Sequence, residues 1–316
     1  SISFLNSMWL LRRGSVSGLF SLQIRCFTPP PPPPKNEKKC IAFIGGGVMG
    51  EAMVAGLLRN KEYKASEICV ADPSVDRLDY LKEKYNVAIT NDNVKAAQKA
   101  NVVVLSIKPQ HIPKVLPALR GTLHSDDVLI SILAGTSNET LCSGIAHAAC
   151  VRAMPNTPGQ VGQGITVWTG TKTLTKPQKI MAETVLGAMG DCVYVDDEAH
   201  LDIATALSGS GPGYVFLMME AMTDAGVHLG LNRKVAQKLV YQTVAGSVQY
   251  AKKNGGHVAV LRNQVTSPGG TTAEAIYYLE KGGFRNVLSR AIFAAHHRSV
   301  ELGKGSGNTQ RSPHFQ

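Results

Sequence analysis

A chain of 316 residues with 44% hydrophobic and 18% charged residues is long enough for two domains and too apolar to be disordered throughout. The net charge of +10 invites a nucleic-acid or anionic-membrane reading, but residues 1–40 hold Arg12, Arg13, Arg25, Lys35, Lys38 and Lys39 against Glu37 alone, so half of the excess sits at one end. The rest of the chain is near balance and carries no aromatic–basic platform on which bases could stack, which argues against nucleic acid as a partner.

From Met8 the chain reads MWLLRRGSVSGLFSLQIRCF, apolar residues interleaved with Arg and Ser and no acid. Such a segment forms a basic amphipathic helix of the transit-peptide kind, whereas Arg25 and the serines interrupt any secretory apolar core. A tail with no address is the alternative. Pro29 to Pro34 form a polyproline II spacer. Residues 1–38 are therefore expected to be a targeting segment and proline-rich linker, delivering a soluble protein to the mitochondrial matrix. No apolar run reaches the roughly 18 residues of a transmembrane helix. The six cysteines include no CxxC pair and several lie in strand-like runs, so buried reduced thiols are expected. The histidines show no ligand spacing, and no metal site is expected.

Ile41 to Ile44 read as a strand running into Gly45-Gly46-Gly47-Val48-Met49-Gly50, a G-x-G-x-x-G that opens a helix with one apolar face. Gly45 serves the tight turn, Gly47 lets backbone approach a pyrophosphate, and Gly50 packs helix on strand. Further strands are expected at 68–71, 102–105, 128–132, 151–154 and 192–195, with helices at 74–85, 110–119 and 137–148. This alternation predicts a parallel doubly wound sheet. Asp72 ends the second strand 22 positions after Gly50, the place of the acid that bonds the ribose 2′-hydroxyl of NAD. Arg77 stands nearby, and Asp72 before Pro73 could instead cap the following helix. The cofactor is NADH or NADPH, with the carboxylate favouring NADH.

Beyond residue 198 the strand pattern ends. Apolar helices are expected at 214–228, from the Asn232 cap to Gly255-Gly256, and at 284–302, with faces broader than one small bundle buries, so a core shared by two copies is expected. Gln264 to Thr272 join two helices through Ser267-Pro268-Gly269-Gly270, and Thr271 and Thr272 stand at a helix start whose free N–H groups suit a carboxylate. An ordinary well-capped turn explains the same residues.

The segments FIGGGVMGEAM (43–53), IKPQ (107–110), MPNTP (154–158), ALSGSGPGY (206–214) and QVTSPGGTTAEAIYYLEKGGF (264–284) resemble, in order and spacing, those of pyrroline-5-carboxylate reductases, and the likeness covers residues 39–302. The resemblance implies an α/β Rossmann-type doubly wound sheet (39–198) followed by an all-α dimerisation domain (199–303) and a flexible tail (304–316). It implies reduction of the cyclic imine 1-pyrroline-5-carboxylate to L-proline, by a homodimer that in this family commonly joins into a decamer of five dimers. It assigns cofactor contacts to Gly45, Gly46, Gly47, Val48, Met49, Asp72, Asn93, Ile107, Lys108, Pro109 and Ala134. Substrate contacts fall to Ser267, Gly269, Gly270, Thr271 and Thr272, with Thr272 bonding the ring nitrogen and Lys108, beneath the nicotinamide side, as the catalytic assignments. The chain departs from the family pattern in Asn263 for Asp, Val258 for Pro, and Gly255 where some members carry a substrate-side Glu. These departures leave room for a structural subunit of a mitochondrial assembly. Another imine reductase is a further alternative, as is a β-hydroxyacid-type dehydrogenase, which would use a lysine of the helical half; Lys234 and Lys238 are present there but sit in a solvated helix pattern.

Overall fold

The computed structural model describes residues 39–303. The expected targeting segment and proline linker, Cys26 and the 304–316 tail lie outside the described residues. The chain runs β1 (Ile41–Ile44), α1 (Val48–Arg59), β2 (Ile68–Ala71), α2 (Val75–Tyr85), β3 (Ala88–Thr90), α3 (Asn93–Ala97), β4 (Val102–Leu105), α4 (Ile112–Ala118), β5 (Val128–Ser131), α5 (Asn138–Ile145), β6 (Cys150–Met154), β7 (Gly164–Gly170), α6 (Lys176–Leu186) and β8 (Gly190–Tyr194).

These strands form one sheet in the order β3-β2-β1-β4-β5-β6-β7-β8. Residues alternate between its faces as the strand period dictates. Ile41, Phe43, Val70, Val104 and Trp168 pack with Met53 and Leu57 of α1 and Val185 of α6. Ala42, Ile44, Val103 and Leu129 pack with Ala97, Leu116 and Leu141 of α3, α4 and α5. Helices on both faces make the sheet doubly wound, and each fully buried Phe, Leu or Ile contributes about 1.5–3 kcal/mol. The chain reverses direction of travel across the sheet between β1 and β4, the switch point where such folds open a crevice at the strands' carboxyl ends.

The sheet is parallel and doubly wound as expected, but the parallel run does not extend across all of it. β1 to β6 are parallel, but β7 runs antiparallel to β6 and β8 follows β7. Residues 155–163 between β6 and β7 hold only a 3₁₀ turn, Thr157–Val161, ended by Gly162 at φ 73°, too short for the crossover of a dozen or more residues that parallel neighbours need. The thiols also differ from expectation. Cys150 is buried, but Cys40, Cys69, Cys142 and Cys192 are half-buried, and all five are free. Cys40 precedes β1 and Cys192 lies on the edge strand β8, where cover is incomplete.

The helical layer comprises α7 (His200–Ala204), a π-helical segment Thr205–Gly209, α8 (Gly211–His228), α9 (Arg233–Asn254), α10 (Val258–Gln264), α11 (Thr271–Lys281) and α12 (Phe284–Gly303). Asn232 caps α9 through Lys234 N, and Gly255, left-handed at φ 62°, ends it. This layer encloses little core of its own: α9 buries only Ala236 and Val240, and α10 and α11 bury nothing. Phe216, Leu217 and Phe293 are 58%, 67% and 69% exposed. A clasp joins the layers. Buried Arg152 on β6 donates to Glu198 (3.2 Å) and Asp202 (3.1 Å), Asp202 accepts from Ser299 of α12 (2.8 Å), and Glu198 accepts from the Asn138 amide (2.9 Å). No described helix is long and apolar enough to cross a membrane.

Candidate active site

The glycine loop follows β1 at the switch point. Gly45 has φ 105°, and a Cβ there would lie 2.7 Å from the Ser106 carbonyl oxygen; at Gly50 a Cβ would lie 2.6 Å from the Gly45 carbonyl oxygen. Both positions are closed to side chains by the backbone around them. Gly47 is different: a Cβ there meets nothing within 4 Å. Space kept clear at the mouth of a helix, rather than filled by protein, is what an approaching pyrophosphate requires. Gly47 is the N-cap of α1 and supplies no side-chain cap, and the first backbone bond of that helix runs from Glu51 N to Gly47 O. The Val48, Met49 and Gly50 N–H groups therefore stand free at the positive end of the helix dipole.

Asp72 does not cap α2; Ser74 does. The Asp72 carboxylate accepts from Gly46 N (2.8 Å) through one oxygen and from Ser74 N (2.9 Å) through the other. It is fixed beside the glycine loop where a ribose would lie, so the residues present fit an adenine dinucleotide. Arg77 donates from Nε to the Gly46 carbonyl and from Nη2 to Glu51. Ser106, after β4, ties the two central strands together by donating to Gly45 O (2.7 Å). Sequence reasoning missed Ser106 and Glu51. A small hydroxyl residue ending the strand beside β1, and an acid in the first turn after the glycines, were the signals.

The remaining cofactor assignments fall at the same carboxyl edge. Asn93 opens α3 behind the Asp92 cap, Ile107 adjoins Gly45, and Ala134 follows β5. Exposed Lys108 stands at the N-cap position of the 3₁₀ turn that begins at Pro109, with no side-chain cap bond.

The substrate assignments lie in the helical layer. Ser267 to Gly270 form a tight turn closed by Gly270 N on Ser267 O (3.0 Å), with Pro268 second and Gly269 third at φ 67°, the order a type II turn demands. Gly270 leads directly into α11 without a side-chain cap, and the first helix bond runs from Glu274 N to Gly270 O. The Thr271, Thr272 and Ala273 N–H groups are thereby left without backbone partners. Ser74, Asp92, Ser137, Thr175, Asn232 and His257 cap the starts of α2, α3, α5, α6, α9 and α10; α1 and α11, like α4, α7 and α8, begin without a side-chain cap, and in α1 and α11 the N-cap is a glycine.

Among the described residues no hydrogen bond joins 267–272 to the sheet layer. At the departures, Asn263 accepts from the Arg262 guanidinium (3.2 Å) rather than bracing the turn, while Thr266 Oγ1 holds the Arg262 carbonyl (2.7 Å). His257 caps α10 through Nδ1 and Ala259 N (3.1 Å) without needing proline at 258. Gly255 is occupied as the end of α9. Lys234 and Lys238 are both exposed on α9.

Residues 198–302 match the family model described as pyrroline-5-carboxylate reductase dimerisation, and residues 40–135 match one described as NADP oxidoreductase, coenzyme F420-dependent. The chain is 44% identical over 264 residues to a pyrroline-5-carboxylate reductase of Synechocystis, a match covering 84% of this chain and 98% of that protein. The solved pyrroline-5-carboxylate reductase of Coxiella burnetii is similar with a TM-score of 0.79 at 41% identity, covering 84% of this chain and 99% of that one. The Plasmodium falciparum pyrroline carboxylate reductase, solved with NADP bound, is similar with a TM-score of 0.76 at 32% identity over 84% of this chain and 98% of that one. With the glycine turns standing where such a reductase needs them, the chain belongs to the pyrroline-5-carboxylate reductase family.

Proposed function

We infer that this protein is an oxidoreductase that reduces 1-pyrroline-5-carboxylate to L-proline, with residues 39–198 holding the dinucleotide and 199–303 holding the substrate and the partner copy. The observation that carries the reading is the pair of uncapped helix starts behind glycine turns, one beside the Asp72 carboxylate fixed by two amides and one leaving the Thr271, Thr272 and Ala273 N–H groups open to an anion. A reduced dinucleotide held through its pyrophosphate at the glycine loop would supply hydride from its nicotinamide. The chain's own work is positioning. Free N–H groups of Thr271 and Thr272, with the Ser267 hydroxyl, bind the substrate carboxylate, and the Thr272 hydroxyl bonds the ring nitrogen. A protonated imine is already electrophilic, so holding its carbon at about 3–3.5 Å from the donor accounts for most of the catalysis. Lys108 lies at the nicotinamide side, where its charge orients rather than transfers protons.

The Asp72 carboxylate, anchored by two amides, would repel a 2′-phosphate, which supports NADH as the preferred donor. The outward apolar faces of the helical layer support a homodimer whose substrate loop serves the partner's dinucleotide half. Five such dimers would make a decamer, which light scattering of the purified protein measures. The basic, acid-free segment at 8–27 supports delivery to the mitochondrial matrix; removing residues 1–38 should leave a fluorescent fusion outside mitochondria. The activity is tested with purified protein, NADH and pyrroline-5-carboxylate. Turnover to proline is expected, and cofactor binding without turnover would overturn the reductase reading.

A further inference from the structure

We propose that Glu51 is a specificity-determining positioning residue, favouring NADH over NADPH by occupying Arg77, the cation that would otherwise meet a 2′-phosphate. The inference rests on the dinucleotide reading of the glycine loop and goes beyond it. Gly46 links the two charged groups. Its N–H bonds the Asp72 carboxylate and its carbonyl accepts from Arg77 Nε, so carboxylate and guanidinium flank one residue at the place where the ribose is read. The carboxylate favours a 2′-hydroxyl, whereas a free guanidinium would favour a phosphate through a charge-assisted, bidentate bond.

Arg77 is not free. Its Nη2 is bonded to Glu51 Oε2, and its guanidinium lies 5.0 Å from the Tyr80 ring centre. Glu51 is itself held in place, accepting at Oε1 from Lys84 (2.9 Å), Tyr85 (2.8 Å) and Tyr80 (3.2 Å). Burial alone would raise this carboxyl, but the bonds from Lys84, Arg77 and Tyr85 outweigh it and draw it down to about 2. Glu51 is thus a fixed anion across the physiological range, and swinging Arg77 toward a phosphate would cost it one of its two cationic partners.

The test is titration calorimetry of the full chain with ADP and with 2′,5′-ADP at one fixed salt concentration, for wild type, Glu51→Gln, Arg77→Ala and the double variant. One released charge-assisted bond, about 1.5–3 kcal/mol, predicts that Glu51→Gln raises 2′,5′-ADP affinity about tenfold or more relative to ADP. Adding Arg77→Ala should abolish that gain, and Arg77→Ala alone should leave the ratio of the two affinities where it was. The NADPH to NADH ratio in kcat/KM should move in the same sense. A merely structural role for Glu51 would weaken both nucleotides together and leave their ratio unchanged. An unchanged ratio in Glu51→Gln, a gain that survives loss of Arg77, or a tenfold loss of 2′,5′-ADP affinity in Arg77→Ala alone would each overturn the proposal. The last arm decides even where Glu51→Gln does not fold. Wild type that binds neither nucleotide would remove the dinucleotide reading, and the inference with it.

Discussion

Replacing Gly47 by alanine separates ligand space from fold space within a single motif. Its backbone, at φ −64° and ψ −176°, is one that alanine adopts freely, and its missing Cβ faces no atom within 4 Å. Alanine is a poorer N-cap than glycine by up to about 1 kcal/mol. It also restricts the unfolded chain, a gain of about 0.4–1 kcal/mol. The two effects offset, so thermal unfolding at a fixed protomer concentration should be nearly unmoved. The methyl group would nevertheless stand where the pyrophosphate approaches the open end of α1. Overpacking of that kind costs about 1–3 kcal/mol, equivalent to roughly 5- to 150-fold in NADH affinity, read by fluorescence titration. Gly50→Ala should behave oppositely, since its Cβ would fall 2.6 Å from the Gly45 carbonyl oxygen and the cost, again about 1–3 kcal/mol, would appear as lost stability. A folded Gly47→Ala protein that binds NADH as tightly as wild type would refute the assignment of the cradle.

Thr272→Ala should lower kcat/KM for pyrroline-5-carboxylate about tenfold or more, the equivalent of one charge-assisted bond, with NADH affinity unchanged; full retained activity would remove Thr272 from the site. Arg152→Met leaves Asp202 with only the Ser299 hydroxyl and Glu198 with only the Asn138 amide. Both acids keep some solvent contact, so the loss should sit toward the lower end of about 3–5 kcal/mol, seen as a lower urea midpoint. The lowered Glu51 pKa means that the native state favours its ionised form. That contribution is complete above the ordinary value of 4.5 and fades as pH falls toward 2. The difference in Tm between wild type and Glu51→Gln should accordingly be flat near neutrality and close below pH 4.5.

The parallel half of the fold was legible because β1, β4 and β5 are buried on both faces and read as unbroken apolar runs, each bounded by turn residues. β7 was not legible. Gly164 to Gly170 alternate Ile165, Val167 and a half-polar partner set with glycine at both ends, a pattern that reads equally as loop, and only the short 155–163 connection reveals that it must turn back. β3 was missed for a related reason: Ala88 to Thr90 is short and lies at the exposed sheet edge. At the site, Asp72 was placed by spacing, but its anchoring amides come from Gly46 and Ser74, and the second oxygen of a carboxylate leaves no mark in a sequence. Glu51 was silent because an acid in the first turn of a helix has an ordinary reason to be there. Its bonds to Arg77, Lys84, Tyr80 and Tyr85 depend on the packing of α1 against α2.

The lack of any hydrogen bond between the 267–272 loop and the sheet layer among the described residues leads to a test that a single variant cannot provide. A chain impaired at Gly47 lacks a sound dinucleotide half, and a chain impaired at Thr272 lacks a sound substrate loop. If each site were built from one chain, a dimer of the two variants would have two impaired sites. If each site takes its dinucleotide half from one copy and its loop from the other, the mixed dimer has one site carrying both lesions and one carrying neither. Co-expression of Gly47→Ala and Thr272→Ala chains gives mixed dimers in half of the population. With one intact site each, about a quarter of wild-type activity should return in a two-fold symmetric assembly, assayed at NADH well below the dissociation constant of the Gly47→Ala variant. The outward apolar faces of α8, α9 and α12 and the lack of any buried residue in α11 favour the shared arrangement. Activity of the co-expressed protein no higher than the average of the two parents would place both halves of the site in one chain.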